Sequence, residues 1–99
     1  MARESDFQKK LIQELKEVFE GCFIFKLDPQ RYQGIPDLLI LYKDKWASLE
    51  CKRSCKATKR PKQDYYVEMM NKLSFSRFVT PENKEEVLHD LSKTFGIKR

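Results

Sequence analysis

Residues 36–52 read PDLLILYKDKWASLECK, and the fold turns on how this stretch is arranged. Leu38 to Tyr42 is an unbroken apolar run, apolar on both faces, as a strand inside a sheet would be. Trp46 to Lys52 alternates instead. Ala47, Leu49 and Cys51 point one way, and Trp46, Ser48, Glu50 and Lys52 the other. Lys43, Asp44 and Lys45 form the polar turn between them. If the loop holds two residues, Lys43 and Asp44, cross-strand partners sum to 87 and Asp37 stands opposite Glu50. Their Cβ atoms would then be about 5 Å apart on one face. The turn lacks the Asn-Gly or Gly that a tight hairpin prefers, and a longer loop would shift this register.

Working outward, Ser5 to Glu20 reads as a helix. Phe7, Leu11, Leu15, Val18 and Phe19 recur at three- and four-residue spacing, Ser5 with Gln8 fits a capping box, and Gly21 fits the C-terminal cap. Cys22 to Leu27 reads as a strand, followed by a polar loop from Asp28 to Gly34, with the second strand spanning Pro36 to Tyr42. After the third strand comes a loop from Arg53 to Arg60. Pro61 suits the first turn of a second helix, whose apolar stripe would be Tyr65, Met69 and Leu73. Phe75 to Val79 reads as a fourth strand. Thr80 and Pro81 open a last helix with Val87, Leu88, Leu91 and Phe95 on its inner face and Gly96 after its end. The order α-β-β-β-α-β-α makes an α/β fold, a mixed sheet flanked by helices.

The chain has 99 residues, the size of a single domain, 1–99. Apolar residues make up 40% and charged residues 35%, which suits neither a disordered chain nor a membrane protein. No charged segment precedes an apolar one as in a signal peptide, so the expected compartment is the cytoplasm. Cys22, Cys51 and Cys55 form no CxxC pair and His89 is the only histidine, which disfavours a disulfide framework or a zinc site. The net charge is +5, but Lys52 to Lys62 carries six basic residues and no acid, so the remainder of the chain is near neutral. Such a concentration suits a polyanion docking at one place, or else a solvated loop.

Two bare carboxylates facing each other destabilise a sheet unless a cation lies between them, and oxygen ligands of this kind suit Mg²⁺. Singly, Asp37 after a proline and Glu50-x-Lys52 on a strand are ordinary. Together, at the end of the strand where the basic loop begins, they make a coherent phosphodiesterase site. Glu4 at the entrance of the first helix is either a member of such a site or a favourable charge at a helix N-terminus.

Gly34-Ile35-Pro36-Asp37 followed by Glu50-Cys51-Lys52 resembles the PD-(D/E)xK nuclease motif. The chain is most similar to the stand-alone virus-type replication-repair nuclease group, small proteins common in phages. The likeness spans nearly the whole chain. Glu4-x-x-Phe7-Gln8 resembles the opening helix with its acid, Pro61 to Tyr66 the helix bearing a glutamine, and Phe75 to Val79 with Pro81-Glu82-Asn83 the closing strand and helix. Cys51 departs from the Val or Ile usual between the acid and the lysine.

The resemblance implies a restriction-endonuclease-like fold and a set of roles. Asp37 and Glu50, with the Cys51 carbonyl, would bind Mg²⁺ or Mn²⁺. Lys52 would orient the attacking water and stabilise the developing charge. Glu4 would assist a water in that centre, and Gln63 would position the site or a phosphate. Arg31, Arg53, Lys56, Lys59, Arg60 and Lys62, with Lys26, would contact phosphates, which position DNA without reading its sequence. The expected activity is structure-selective DNA cleavage, with four-way (Holliday) junctions as the first substrate. Two active sites would then be needed, hence a homodimer, with Phe23, Phe25 or the Tyr65/Tyr66 region as contacts. Alternatives are a monomeric flap or nonspecific nickase, and a nucleic-acid-binding protein without catalysis.

Overall fold

The computed structural model describes residues 3–97. Its elements follow the order α1 (Glu4–Val18), β1 (Phe23–Lys26), β2 (Leu38–Tyr42), β3 (Lys45–Cys51), α2 (Gln63–Leu73), β4 (Ser76–Val79) and α3 (Lys84–Phe95). The four strands form one mixed sheet in the order β1-β2-β3-β4. The first two pairings are antiparallel, and β3 and β4, joined through α2, run parallel. The parallel pair needs a crossover long enough to return to the starting edge, and α2 supplies it.

Tyr42 pairs with Lys45, Ile40 with Ala47 and Leu38 with Leu49, so the partners sum to 87. The two-residue turn forms without glycine because Lys43 adopts φ 55°. Continued one pair beyond the ladder, this register sets Asp37 opposite Glu50. The core lies between one face of the sheet and the two terminal helices. Leu38, Ile40, Ala47 and Leu49 meet Phe7, Leu11, Leu15 and Phe19 of the first helical segment and Val87, Leu88, Leu91 and Phe95 of α3. Phe19, Tyr42 and Phe95 close one end of this core, with ring centroids 5.1–5.8 Å apart. Lys84 on α3 bonds Glu14 on α1 at 2.7 Å and ties the two helices together. No helix among the described residues is long and apolar enough to cross a membrane.

Several local expectations are corrected. α1 begins at Glu4 with Arg3 as its N-cap and no side-chain cap bond, so the Ser5–Gln8 capping box does not form. α2 begins at Gln63, after Pro61 and a Lys62 in the left-handed region. Its buried side is Gln63 and Val67, whereas Tyr65, Met69 and Leu73, expected as its inner stripe, are exposed. α3 begins at Lys84 rather than at Pro81. Thr80 and Asn83 hold its entrance reciprocally: the Thr80 amide donates to Asn83 Oδ1 at 2.7 Å, and the Asn83 amide to Thr80 Oγ1 at 3.2 Å. On β3 every residue from Ala47 to Cys51 is buried, because α2 covers the face that alternation alone would leave to solvent.

Candidate active site

The site forms where β2 begins and β3 ends. Asp37 precedes β2, and its Oδ2 accepts the Cys51 amide at 2.9 Å, which fixes the carboxylate against the neighbouring strand. Glu50 is nearly the last residue of β3 and is only 3% exposed. Its Oε2 accepts a hydrogen bond from Gln63 Nε2 at 2.9 Å and lies 3.9 Å from Lys52 Nζ. Its Oε1 is buried with no hydrogen-bond partner among the described residues. A buried, bare carboxylate oxygen is costly. Burial first, then the Asp37 carboxylate and Glu4, push Glu50 up to about 8. Burial likewise raises Asp37 above the usual carboxylate range, although the Cys51 amide and Lys52 oppose the rise.

Lys52 follows the strand and is itself buried, at 6% exposure. Its ammonium donates to the Thr58 carbonyl at 3.2 Å, so the basic loop bends back over the lysine. Gln63, the first residue of α2, is gripped on both ends of its amide. Its Oε1 accepts the Arg60 amide at 2.7 Å while its Nε2 donates to Glu50. The conformation of the loop is thereby coupled to the orientation of Glu50. The opposite wall is the 28–36 segment, in which Gly34 at φ 89° packs directly against Pro61 and Lys62.

These elements enclose a cleft of about 930 Å³. Glu4, Asp37, Glu50, Lys52 and Gln63 all line it, so the structure brings the five expected catalytic residues together. The basic residues divide. Arg53 and Arg60 line the cleft, whereas Arg31, Lys56, Lys59 and Lys62 stand outside it. Lys59 is already engaged, 3.1 Å from Asp64 Oδ1 and 4.3 Å from the centroid of the Phe78 ring. Arg3, Gln30, Gln33 and Thr58 also line the cleft and carry no mark in the sequence that singles them out.

Among the described residues no group of three or more His, Cys, Asp or Glu side chains forms a ready-made metal cage. Besides Glu4 on the cleft wall, the site offers the paired Asp37 and Glu50 carboxylates, the latter with an unused buried oxygen. That set fits Mg²⁺, which keeps several waters and is held by one or two carboxylates plus substrate phosphate, rather than by an all-protein shell. No family model, curated protein or solved structure matches the chain.

Proposed function

We propose that the protein is a metal-dependent DNA endonuclease of the PD-(D/E)xK type, with a restriction-endonuclease-like fold, that acts on branched DNA, four-way junctions first. The observation that carries the proposal is Glu50: a carboxylate buried opposite Asp37, with Gln63 on one oxygen and nothing on the other. This is the environment a divalent cation would relieve. Asp37, Glu50 and the Cys51 carbonyl would hold Mg²⁺ or Mn²⁺. When bound, the cation would polarise the scissile phosphate and lower the pKa of the attacking water.

The chain's own groups do the rest. Gln63 and the Cys51 amide orient the two carboxylates, so the ligands are set before substrate arrives. The Lys52 ammonium sits beside them and supplies positive charge where the phosphorane charge develops. Water oxygen bonds to phosphorus as the bond from phosphorus to the 3′ oxygen breaks. That oxygen takes up a proton, leaving a 5′-phosphate and a 3′-hydroxyl. Arg53 and Arg60 on the cleft wall neutralise flanking phosphates without sequence selection.

The test is cleavage of a labelled four-way junction beside its matched linear duplex, with Mg²⁺ and with EDTA, and Asp37→Ala as the blank. The expected result is metal-dependent, junction-selective, symmetric cuts that vanish in the variant. Equal cutting of the linear duplex would discard the preference for branches. Binding with no cutting would overturn the nuclease assignment.

A further inference from the structure

The two walls of the cleft differ in chemistry. Lys52 to Lys62 carries six basic residues and no acid, and Arg53 and Arg60 from this stretch face the cleft. The segment from Asp28 to Pro36 carries one acid and one base, Asp28 and Arg31, and meets the cleft with the uncharged amides of Gln30 and Gln33. Tyr32 stands between those two glutamines in the chain, outside the cleft itself and 57% exposed. The other tyrosines are engaged. Tyr42 packs in the core against Phe19 and Phe95, and Tyr65 and Tyr66 meet edge to face. Tyr32 has no ring partner among the described residues.

The loop that carries Tyr32 is held at several points. The Leu27 amide donates to the Asp37 carbonyl at 2.8 Å and closes the loop's base on a site residue. Within the loop, Asp28 Oδ1 accepts the Gln30 amide at 2.9 Å, the Asp28 carbonyl accepts the Arg31 amide at 3.1 Å, and the Tyr32 carbonyl accepts the Ile35 amide at 3.1 Å. Gly34 seats the loop against Pro61 and Lys62. The Tyr32 backbone is therefore set in place relative to Asp37 before any ligand arrives, and little conformational freedom is lost when the ring is covered.

We infer that Tyr32 is a specificity-determining residue, whose ring stacks on an unpaired base beside the scissile phosphate and so selects branched over linear DNA. This rests on the nuclease reading of the cleft and names how such a site would tell substrates apart. A strand entering the cleft lays its phosphates along the cationic wall, where counterion release favours contact. Its bases then turn toward the near-neutral wall. In a linear duplex both faces of each base are covered by stacked neighbours, and Tyr32 finds none. At a branch point stacking is interrupted and a face is free, which an aromatic ring takes up whichever base is present. Gln30 and Gln33 each offer donors and an acceptor, suited to the edge of such a base.

The test is fluorescence anisotropy of the full chain carrying Asp37→Ala, which prevents cutting, on three probes: a four-way junction, the same junction with abasic residues flanking the branch point, and the matched linear duplex. Tyr32→Ala should weaken junction binding about tenfold, within the range that base–aromatic stacking supplies, and leave duplex binding unchanged. Tyr32→Phe should bind the junction as the parent does. The parent should lose a similar factor on the abasic junction, and Tyr32→Ala should lose nothing further there, a result that a merely structural role would not give. Because Tyr32 is exposed, circular dichroism should report an unchanged fold. Should Tyr32→Ala unfold the chain, Tyr32→Phe and the abasic junction carry the test with the ring in place. Equal losses on junction and duplex, no loss on either, or a Tyr32→Phe that behaves as Tyr32→Ala would overturn the inference. Binding is read here, not cleavage, so the two readings fail separately. A wild-type chain that never cuts DNA with Mg²⁺, while the base-dependent loss persists, overturns the nuclease assignment and leaves Tyr32 its role. A chain that binds none of the probes overturns both.

Discussion

Gln63 holds Glu50 by one oxygen only: its Nε2 donates to Oε2 at 2.9 Å and leaves Oε1 bare. The same amide accepts the Arg60 backbone N–H through Oε1, so its orientation is fixed and it cannot flip without losing both bonds. A hydrogen bond to a charged group contributes about 1.5–3 kcal/mol. Gln63→Ala should therefore slow cleavage by roughly ten- to a hundredfold and raise the Mg²⁺ concentration needed for half-maximal rate. Gln63→Glu should be worse, because it sets a further carboxylate against Glu50. Mg²⁺ titration of cleavage rates checks both. Rates that match wild type in both variants would show that Gln63 does not position Glu50.

The pH dependence of stability follows from the same carboxylate. Glu50 is raised from 4.5 to about 8 in the folded protein. Between those values the folded state keeps a proton that the unfolded chain has released. The metal-free protein should therefore lose stability as pH rises from about 4.5 to about 8. Asp37 shifts in the same direction and adds to the loss. Thermal melting in EDTA should show a lower Tm at pH 8 than at pH 5.5, and Mg²⁺ at pH 8 should restore much of it. Glu50→Gln should flatten the profile and abolish the Mg²⁺ response. A Tm that rises steadily with pH in EDTA would contradict the burial of a carboxylate at this position.

The hairpin was legible because a two-residue turn and the alternation of Trp46 to Lys52 permit one register that keeps Leu49 inside and Glu50 beside Asp37. α3 was legible for a similar reason, since Val87, Leu88, Leu91 and Phe95 are its only large apolar residues. α2 was not. It carries apolar residues on two sides, and spacing cannot say which side faces the sheet. Tyr65, Met69 and Leu73 repeat cleanly, but the helix enters with Gln63 bonded to Glu50, and that contact turns Val67 inward and the clean stripe out. Of the five expected residues that line the cleft, Asp37, Glu50 and Lys52 were legible from strand spacing, whereas Glu4 and Gln63 came only with the family resemblance. The clamp of Thr58 on Lys52 was not legible, because it uses a backbone carbonyl that any residue would supply.

The basic loop should not act as a uniform patch. Lys59 is committed to Asp64 and to the face of Phe78, whereas Arg53 and Arg60 face the cleft. Each phosphate contact on duplex DNA adds about 0.9 to the slope of log affinity against log salt. Arg60→Ala should lower that slope by about one contact and weaken binding across all sequences. Lys59→Ala should leave the slope nearly unchanged. Fluorescence anisotropy over a salt series, with Asp37→Ala as the background to prevent cutting, separates the two. Equal loss of slope from both substitutions would mean that Lys59 leaves Asp64 to meet DNA.

Gly34 tests whether the two walls of the cleft are locked together. It has φ 89°, and a Cβ there would lie 2.7 Å from the Lys62 carbonyl carbon and 2.8 Å from the Pro61 oxygen. Those are mostly backbone atoms, and the Lys62 backbone is itself in the left-handed region at the N-terminus of α2. They cannot yield without moving Gln63. Gly34→Ala should therefore cost about 2–4 kcal/mol, strain and overpacking together. It should also disturb the Gln63–Glu50 bond, so activity should fall even at temperatures where the variant is folded. Gly21 is the control. It has nearly the same φ, 88°, but an added Cβ meets nothing within 4 Å. Gly21→Ala should then cost about 1 kcal/mol, the backbone strain alone, and leave cleavage intact. Chemical denaturation of the two variants separates these contributions. Equal losses would show that the Gly34–Lys62 contact is relaxed at little cost and that the cleft walls move independently.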